Sequence, residues 1–212
     1  MSPRRSPVYK QLSFDTAVRN PERYIEILTA LRLFEGVILN DENLLKIVVH
    51  LYKNEIVSSN KIQISSGLSL DDLAEKVVRV NDTRKADGGF PQGYTARFWN
   101  YVRTLSELGF VYARYNQEFL LSDIAKKLIK REIDEQEAFS IQAMKYNRKS
   151  PYRNVKNDFN FFRFILLVLL RLKHEGHSLS YEQFIVATFS QDGNVDAFLS
   201  LIKENKFSNE EK

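Results

Sequence analysis

The chain has 212 residues, of which 43% are hydrophobic and 27% are charged, a composition typical of a globular protein that buries a core. It has no cysteine, which excludes disulfides, thiolate nucleophiles and cysteine-ligated zinc and fits a reducing cytoplasm. Its longest strongly apolar stretch, Phe164–Leu170, is far shorter than the roughly 20 residues that a membrane span needs. The N-terminus lacks the apolar segment of a secretory signal, so we expect a cytoplasmic protein that does not enter a membrane.

The net charge of +4 is modest, but the basic residues are grouped. Between Lys145 and Lys156 the sequence has five basic residues and no acid, whereas residues 41–83 contain more acids than bases. Basic patches on an otherwise balanced chain are typical of a protein that binds the phosphate backbone of a nucleic acid. An ordinary solvated surface explains the charge alone equally well.

The first part of the chain predicts an N-terminal tail followed by helices. Residues 1–20 contain little apolar periodicity and read as the tail. Pro21 is typical of the first position of a helix, and Gly36 is typical of a helix end. Apolar residues at helical spacing predict further helices that begin at Asp41 and after Ser69.

Residues 94–131 show the most informative pattern. The apolar residues of 94–108 fall on one side of a helix that Gly109 ends. Residues 110–121 then predict two short strands joined by a tight turn, and Ser122 caps another helix. This order of helix, hairpin and helix is typical of a winged helix, in which the first of these helices enters the major groove of DNA and the hairpin lies beside it.

The remainder of the chain reads as helices, over residues 134–146, 157–173, 181–189 and 194–205. We therefore predict a mainly α fold. A winged-helix-like DNA-binding subdomain with one β-hairpin is expected over residues 21–131, and an all-helical second subdomain over residues 132–212.

The helix over residues 94–108 offers side chains that could read bases. Helical spacing places Arg97, Asn100 and Thr104 on one polar face, with Arg103 beside it. Arginine pairs in a bidentate manner with guanine and asparagine with adenine, so this face has base-reading chemistry. The alternative is that the face is simply the wet side of an amphipathic helix.

Further candidates for DNA contact lie around this helix, in the polar loop 81–93, in the hairpin and in the basic loop. Arginines near the first helix are also candidates, although a structural role explains this stretch equally well, with Asn20 as an N-cap and a buried or paired arginine that holds the two subdomains together. These candidates are Arg84, Lys85, Arg114, Asn116, Gln117, Arg148, Lys149, Tyr152, Arg153, Arg19 and Arg23.

Three stretches of the chain resemble the AlwI family of type IIS restriction endonucleases. The stretch Leu12–Gly36, LSFDTAVRNPERYIEILTALRLFEG, resembles the family's opening, chiefly in SFDT, VRNPER and FEG. TLSELGFVYARYNQEFLLSDIAKKLI is similar to the next block. The basic loop Tyr146–Arg153 and the apolar helix after it also match, and related nicking endonucleases share this layout.

This resemblance implies recognition of a short asymmetric site in double-stranded DNA by an N-terminal half built from helical, winged-helix-like subdomains. Cleavage in such enzymes belongs to a C-terminal PD-(D/E)xK nuclease domain that uses Mg²⁺. The present chain is expected to end before that domain, so that a C-terminal nuclease domain or a second subunit would cut.

We expect no catalytic, metal-binding or cofactor-binding residues in this chain. The acid-x-lysine spacing that a nuclease core needs occurs only near the end, at Glu204/Lys206 and Glu210/Lys212, where no sheet would present it. Two other functions stay open. One is a winged-helix transcription regulator, and the other is a non-catalytic protein-interaction module that uses Trp99 and the apolar helix.

Overall fold

The computed structural model describes residues 6–13, 21–58, 62, 68–81 and 93–204. As predicted, this part of the chain is mainly helical, with one two-stranded antiparallel sheet. Its helices are α1 (Pro21–Leu31), α2 (Asp41–Lys53), α3 (Leu70–Asn81), α4 (Tyr94–Glu107), α5 (Asp123–Ile129), α6 (Glu135–Lys145), α7 (Phe161–His174), α8 (Tyr181–Thr188) and α9 (Val195–Glu204). A 3₁₀ turn over Arg32–Phe34 follows α1, and the strands are β1 (Val111–Tyr112) and β2 (Leu120–Leu121).

Several helix starts form where the sequence predicts a cap. The Ser122 side chain accepts a hydrogen bond from the backbone of Ala125 at the start of α5. Ser180 and Gln183 form the predicted capping box of α8, each side chain accepting from the other's backbone N–H. Helix α7 begins later than predicted because Asn160 caps it, accepting from the backbone N–H of Arg163 at 2.9 Å.

The predicted hairpin forms, and a third segment pairs with it. Val111 of β1 lies opposite Leu121 of β2, after a turn at Gly109 whose φ is +77°. The backbone N–H of Phe119 donates to the carbonyl of Val37 at 2.9 Å, and Ile38 forms an antiparallel bridge to Glu118. The segment between α1 and α2 therefore runs beside the hairpin. The sequence did not indicate this pairing, because the paired segment is so short.

The chain divides into two compact units. The central unit takes in Asp15–Ala138, and the second unit takes in Met1–Phe14 together with Phe139–Lys212, each considered over its described residues. In the central unit α2 packs against α3 and α4, and α1 packs against α5. Its largest fully buried side chains include Tyr52, Phe98, Phe110 and Phe119.

In the second unit, α7, α8 and α9 contribute the side chains of one apolar cluster. Phe164 and Phe198 meet at its centre in an edge-to-face contact of 5.4 Å between ring centroids. Residues 6–13 are part of this unit and not a loose tail as the sequence suggests, because Val8 bridges to Val155 and Leu12 donates to the carbonyl of Thr188 at 2.8 Å. None of the described helices has the length and apolar character of a membrane-spanning helix.

Candidate nucleic-acid interface

Helix α4 has a buried side and a polar side. It packs against α2, and its apolar residues Phe98, Val102 and Leu105 are fully buried. Arg97 and Arg103 are exposed and Asn100 is half-buried. At 100° per residue these three positions fall within an arc of about 120°. The structure thus brings three of the four predicted residues of this helix to one face.

Thr104, the fourth residue predicted on this face, is buried at 6% exposure. Its neighbours Ser106 and Glu107 are buried as well, because the last turn of α4 packs against β1 where the chain folds back. Helical periodicity alone assigns Thr104 to the polar side, since it takes no account of the hairpin. The accessible polar face of α4 therefore comprises Arg97, Asn100 and Arg103.

Tyr101 follows Arg97 by four positions in α4, a spacing that makes the two residues neighbours on the helix surface. Burial raises the pKa of Tyr101 to about 12, with Tyr52 adding to the increase and the positive charge of Arg97 opposing it. At neutral pH the Tyr101 hydroxyl is therefore protonated and uncharged.

The hairpin residues are held by local contacts. The Arg114 guanidinium lies 5.6 Å from the centre of the Tyr112 ring, and the Tyr112 hydroxyl donates to the side chain of Gln117. Asn116 has a positive φ of 58°, and its backbone N–H donates to the carbonyl of Leu39 at 3.0 Å. The backbone of the hairpin turn is therefore bound to the segment between α1 and α2, and the side chains of Asn116 and Gln117 are exposed.

Arg148, predicted as a phosphate contact, is buried at 2% exposure. Its guanidinium donates to the carbonyls of Ser190 at 2.9 Å, Thr188 at 3.4 Å and Lys10, and it lies 5.3 Å from the centre of the Phe159 ring. Burial lowers the pKa of this guanidinium. The structure thus places Arg148 inside the second unit, where it binds backbone carbonyls.

The rest of the basic loop is more accessible, but it is also engaged. Lys149 is exposed and forms a surface ion pair of 3.2 Å with Asp158. The Arg153 guanidinium donates to the carbonyl of Ser13, and Tyr152 is half-buried. Of this loop's predicted contacts, Lys149 is the one that is well placed to meet a phosphate.

The remaining candidates are Arg23 and three residues outside the described part of the chain, Arg19, Arg84 and Lys85. The Arg23 guanidinium pairs with Glu26 at 2.8 Å and donates to the carbonyl of Ile56 at 3.3 Å. The first contact lies within α1, and the second joins α1 to the segment after α2. They agree with the structural alternative for this arginine.

The described residues do not fit the Mg²⁺ site that a nuclease core requires. No group of three or more histidine, aspartate or glutamate side chains among them is placed to hold a metal ion. Of the acid-x-lysine pairs, only Glu204 lies within the described residues. We therefore derive no metal-dependent step from this part of the chain.

Comparison with known families identifies the family of the chain. The sequence model described as AlwI restriction endonuclease matches residues 106–212, which is about half of the chain. The chain belongs to the AlwI restriction endonuclease family. No curated protein and no solved structure matches it. Restriction endonucleases act on DNA, so membership of the AlwI family implies DNA as the substrate.

The AlwI family match begins at the end of α4. It includes the hairpin, α5, the basic loop and the whole helical region after it. The opening stretch Leu12–Gly36 and the polar face of α4 lie outside the match. A role for that face in DNA binding is consequently inferred from its geometry and chemistry, not from the family match.

The predicted site residues do not include the cations of α5 and of the turn that follows it. Lys126, Lys127, Lys130 and Arg131 occur within six positions, a density that is visible in the sequence. Sequence patterns did not single out these cations, because together with the buried Ala125 and Leu128 they have the spacing of an ordinary amphipathic helix.

Proposed function

We propose that this chain is the DNA-recognition part of a type IIS restriction endonuclease, and that it reads a short asymmetric site in double-stranded DNA. The polar face of α4 carries the proposal. Arg97, Asn100 and Arg103 share that face, and their side chains have the donors and acceptors that distinguish base edges in the major groove.

The surroundings of α4 favour a winged-helix-like arrangement. The hairpin follows α4 directly, and its second half pairs with the segment between α1 and α2. A winged helix has this order, with a short strand after its first helix that pairs with the hairpin after its recognition helix. In such an arrangement Arg114 and Asn116 of the hairpin would contact the DNA backbone beside the groove.

Cleavage would belong to a nuclease domain or subunit outside this chain, and we propose Mg²⁺ as its cofactor. On this proposal the chain alone should bind DNA and leave it intact. Incubation in buffer with Mg²⁺, with a plasmid that carries the site selected from randomised duplexes as described below, tests this. Reproducible strand scission absent from a mock preparation would contradict it.

Selection from randomised duplexes tests the proposed recognition. Successive rounds with the purified chain should enrich one short motif that lacks two-fold symmetry, bound by a monomer. Enrichment of a palindrome bound by a dimer would instead indicate a transcription regulator. If the chain retains no duplex even at low salt, the result would contradict DNA binding altogether.

A protein-interaction module is the second candidate, and one observation favours it. Helix α7 has four leucines that are each more than 40% exposed in the chain by itself, namely Leu166, Leu167, Leu169 and Leu170. Exposed apolar patches of this kind mark protein interfaces. Such an interface is compatible with DNA recognition, because a recognition part also needs a surface for the part that cuts.

A further inference from the structure

One face of α5 is formed by lysines. Helical spacing puts Lys126, Lys127 and Lys130 within an arc of about 100°. Ala125 and Leu128 lie on the opposite side, where both are buried. Asp123, at the start of the helix, is the acid on this face.

Arg32, from the 3₁₀ turn after α1, brings a fourth cation to the same place. Its side chain lines an open depression together with Lys126 and Lys130. Glu35 lies there too, pairing with Lys126 at 2.7 Å and accepting from the backbone N–H of Leu121 at 3.4 Å. The depression therefore has more positive than negative charge.

The ion pairs of this region are weak and leave two cations available. Lys126 and Lys130 pair with Glu35 and Glu132 at 2.7 Å and 3.7 Å, and all four side chains are substantially exposed to solvent. Such surface pairs contribute little stability. Within the described chain, the Arg32 and Lys127 side chains form no ion pair or hydrogen bond.

Arg131 occupies a backbone conformation that usually belongs to glycine. Its φ is +60°, and it follows α5 in a Schellman motif, in which Glu132 N–H donates to the Lys127 carbonyl at 2.9 Å and Arg131 N–H to the Leu128 carbonyl at 3.0 Å. A side chain at this position strains the backbone, and glycine would remove the strain. The exposed Arg131 side chain makes no hydrogen bond or ion pair within the described residues, so no contact in the fold offsets the strain. The Schellman motif requires this backbone conformation but not an arginine, so the Arg131 side chain is available to a partner outside the fold.

We propose that these five residues, the α5 cation cluster, bind backbone phosphates of duplex DNA. The cluster comprises Arg32, Lys126, Lys127, Lys130 and Arg131. It would hold the central unit on the duplex without reading sequence, because phosphate contacts position a protein and base contacts specify the site. This inference rests on the proposed DNA recognition and adds to it a surface distinct from the polar face of α4.

The variant Arg131→Gly separates a functional role from a structural one, because the two predict opposite results. If Arg131 binds phosphate, the glycine variant should unfold about 2–4 °C higher, since strain is relieved, yet bind DNA more weakly. The slope of log affinity against log salt should shrink by about 0.9 for each lost phosphate contact. For the triple variant Arg32→Gln, Lys127→Gln, Arg131→Gly, the magnitude of this slope should therefore fall by about 2 to 3.

The measurement is fluorescence anisotropy with a labelled duplex of arbitrary sequence, titrated at several salt concentrations. Lys53→Gln is the matched control, because it removes one exposed cation from the same unit outside the cluster and should leave the slope unchanged. If the wild type binds DNA but the slopes of the cluster variants are unchanged, the proposed role of the α5 cation cluster is wrong and the proposed function still stands. A lower melting temperature for Arg131→Gly would overturn it too, whereas failure of the wild type to bind any duplex would overturn the proposed function itself.

Discussion

Arg148 and Ser190 are joined by a hydrogen bond of 2.9 Å, in which a buried guanidinium donates to a backbone carbonyl 42 positions further along the chain. The same carbonyl accepts from the side chain of Asn157 at 2.9 Å, and Asn157 in turn accepts from the backbone N–H of Lys10 at 3.0 Å. Arg148 and Asn157 thereby fasten the N-terminal segment to the end of α8.

Replacement of Arg148 by alanine should therefore destabilise the second unit. Several carbonyls would lose a charged donor, and we expect a loss of roughly 3 kcal/mol in the free energy of unfolding. Urea denaturation followed by circular dichroism measures this. Lys149→Ala is the control: its ion pair with Asp158 is exposed, so it should cost less than about 1 kcal/mol. Equal losses in the two variants would contradict the structural role of Arg148.

Gly36 should be sensitive to substitution for a backbone reason alone. Its φ is +83°, and a Cβ added there would have no atom within 4 Å. Gly36→Ala should cost about 1 kcal/mol in the free energy of unfolding, because left-handed backbone is unfavourable for residues with a Cβ. Gly36→Asn should cost less, since asparagine tolerates this conformation better. Chemical denaturation of both variants checks the order, and a harmless alanine would show that the turn is not constrained.

His50 should make stability depend on pH near neutrality. Burial lowers its pKa from the ordinary 6.5, and the charge of Lys53 adds to the decrease. The unfolded chain then binds a proton at a higher pH than the folded protein, so this stability is present above the unfolded pKa and is lost as the pH falls through the folded pKa. The melting temperature should drop between about pH 7.5 and 5.5, and His50→Gln should reduce the drop. His174→Gln, at an exposed position, is the control, and an equal effect of both variants would contradict the assignment.

The sequence predicted those elements whose determinants are local. Gly109 ends α4, Ser122 caps α5, and Ser180 with Gln183 caps α8, because each signal acts within a few residues. The hairpin followed from the change to aromatic and β-branched residues after Gly109.

Features that depend on distant partners were not predictable in the same way. The bridge between Ile38 and Glu118 joins residues 80 positions apart, and nothing local marks it. Arg148 lies in a loop that reads as a solvated basic patch, yet its partners are carbonyls supplied by distant segments. Charge counts cannot distinguish a cation that meets solvent from one that meets backbone carbonyls. Thr104 differs from its prediction for a related reason, since helical periodicity cannot show what the hairpin covers.

Discrimination between the selected duplex and a scrambled duplex tests the central claim most directly, through the ratio of the two dissociation constants. Arg97→Ala or Asn100→Ala should weaken binding to the selected duplex by about 1–3 kcal/mol, roughly 5-fold to 150-fold, and leave binding to the scrambled duplex nearly unchanged. Lys149→Ala should weaken both duplexes alike, because phosphate contacts are independent of sequence. An unchanged ratio for Arg97→Ala and Asn100→Ala would contradict the account, since the polar face of α4 would then be only the solvated side of an amphipathic helix.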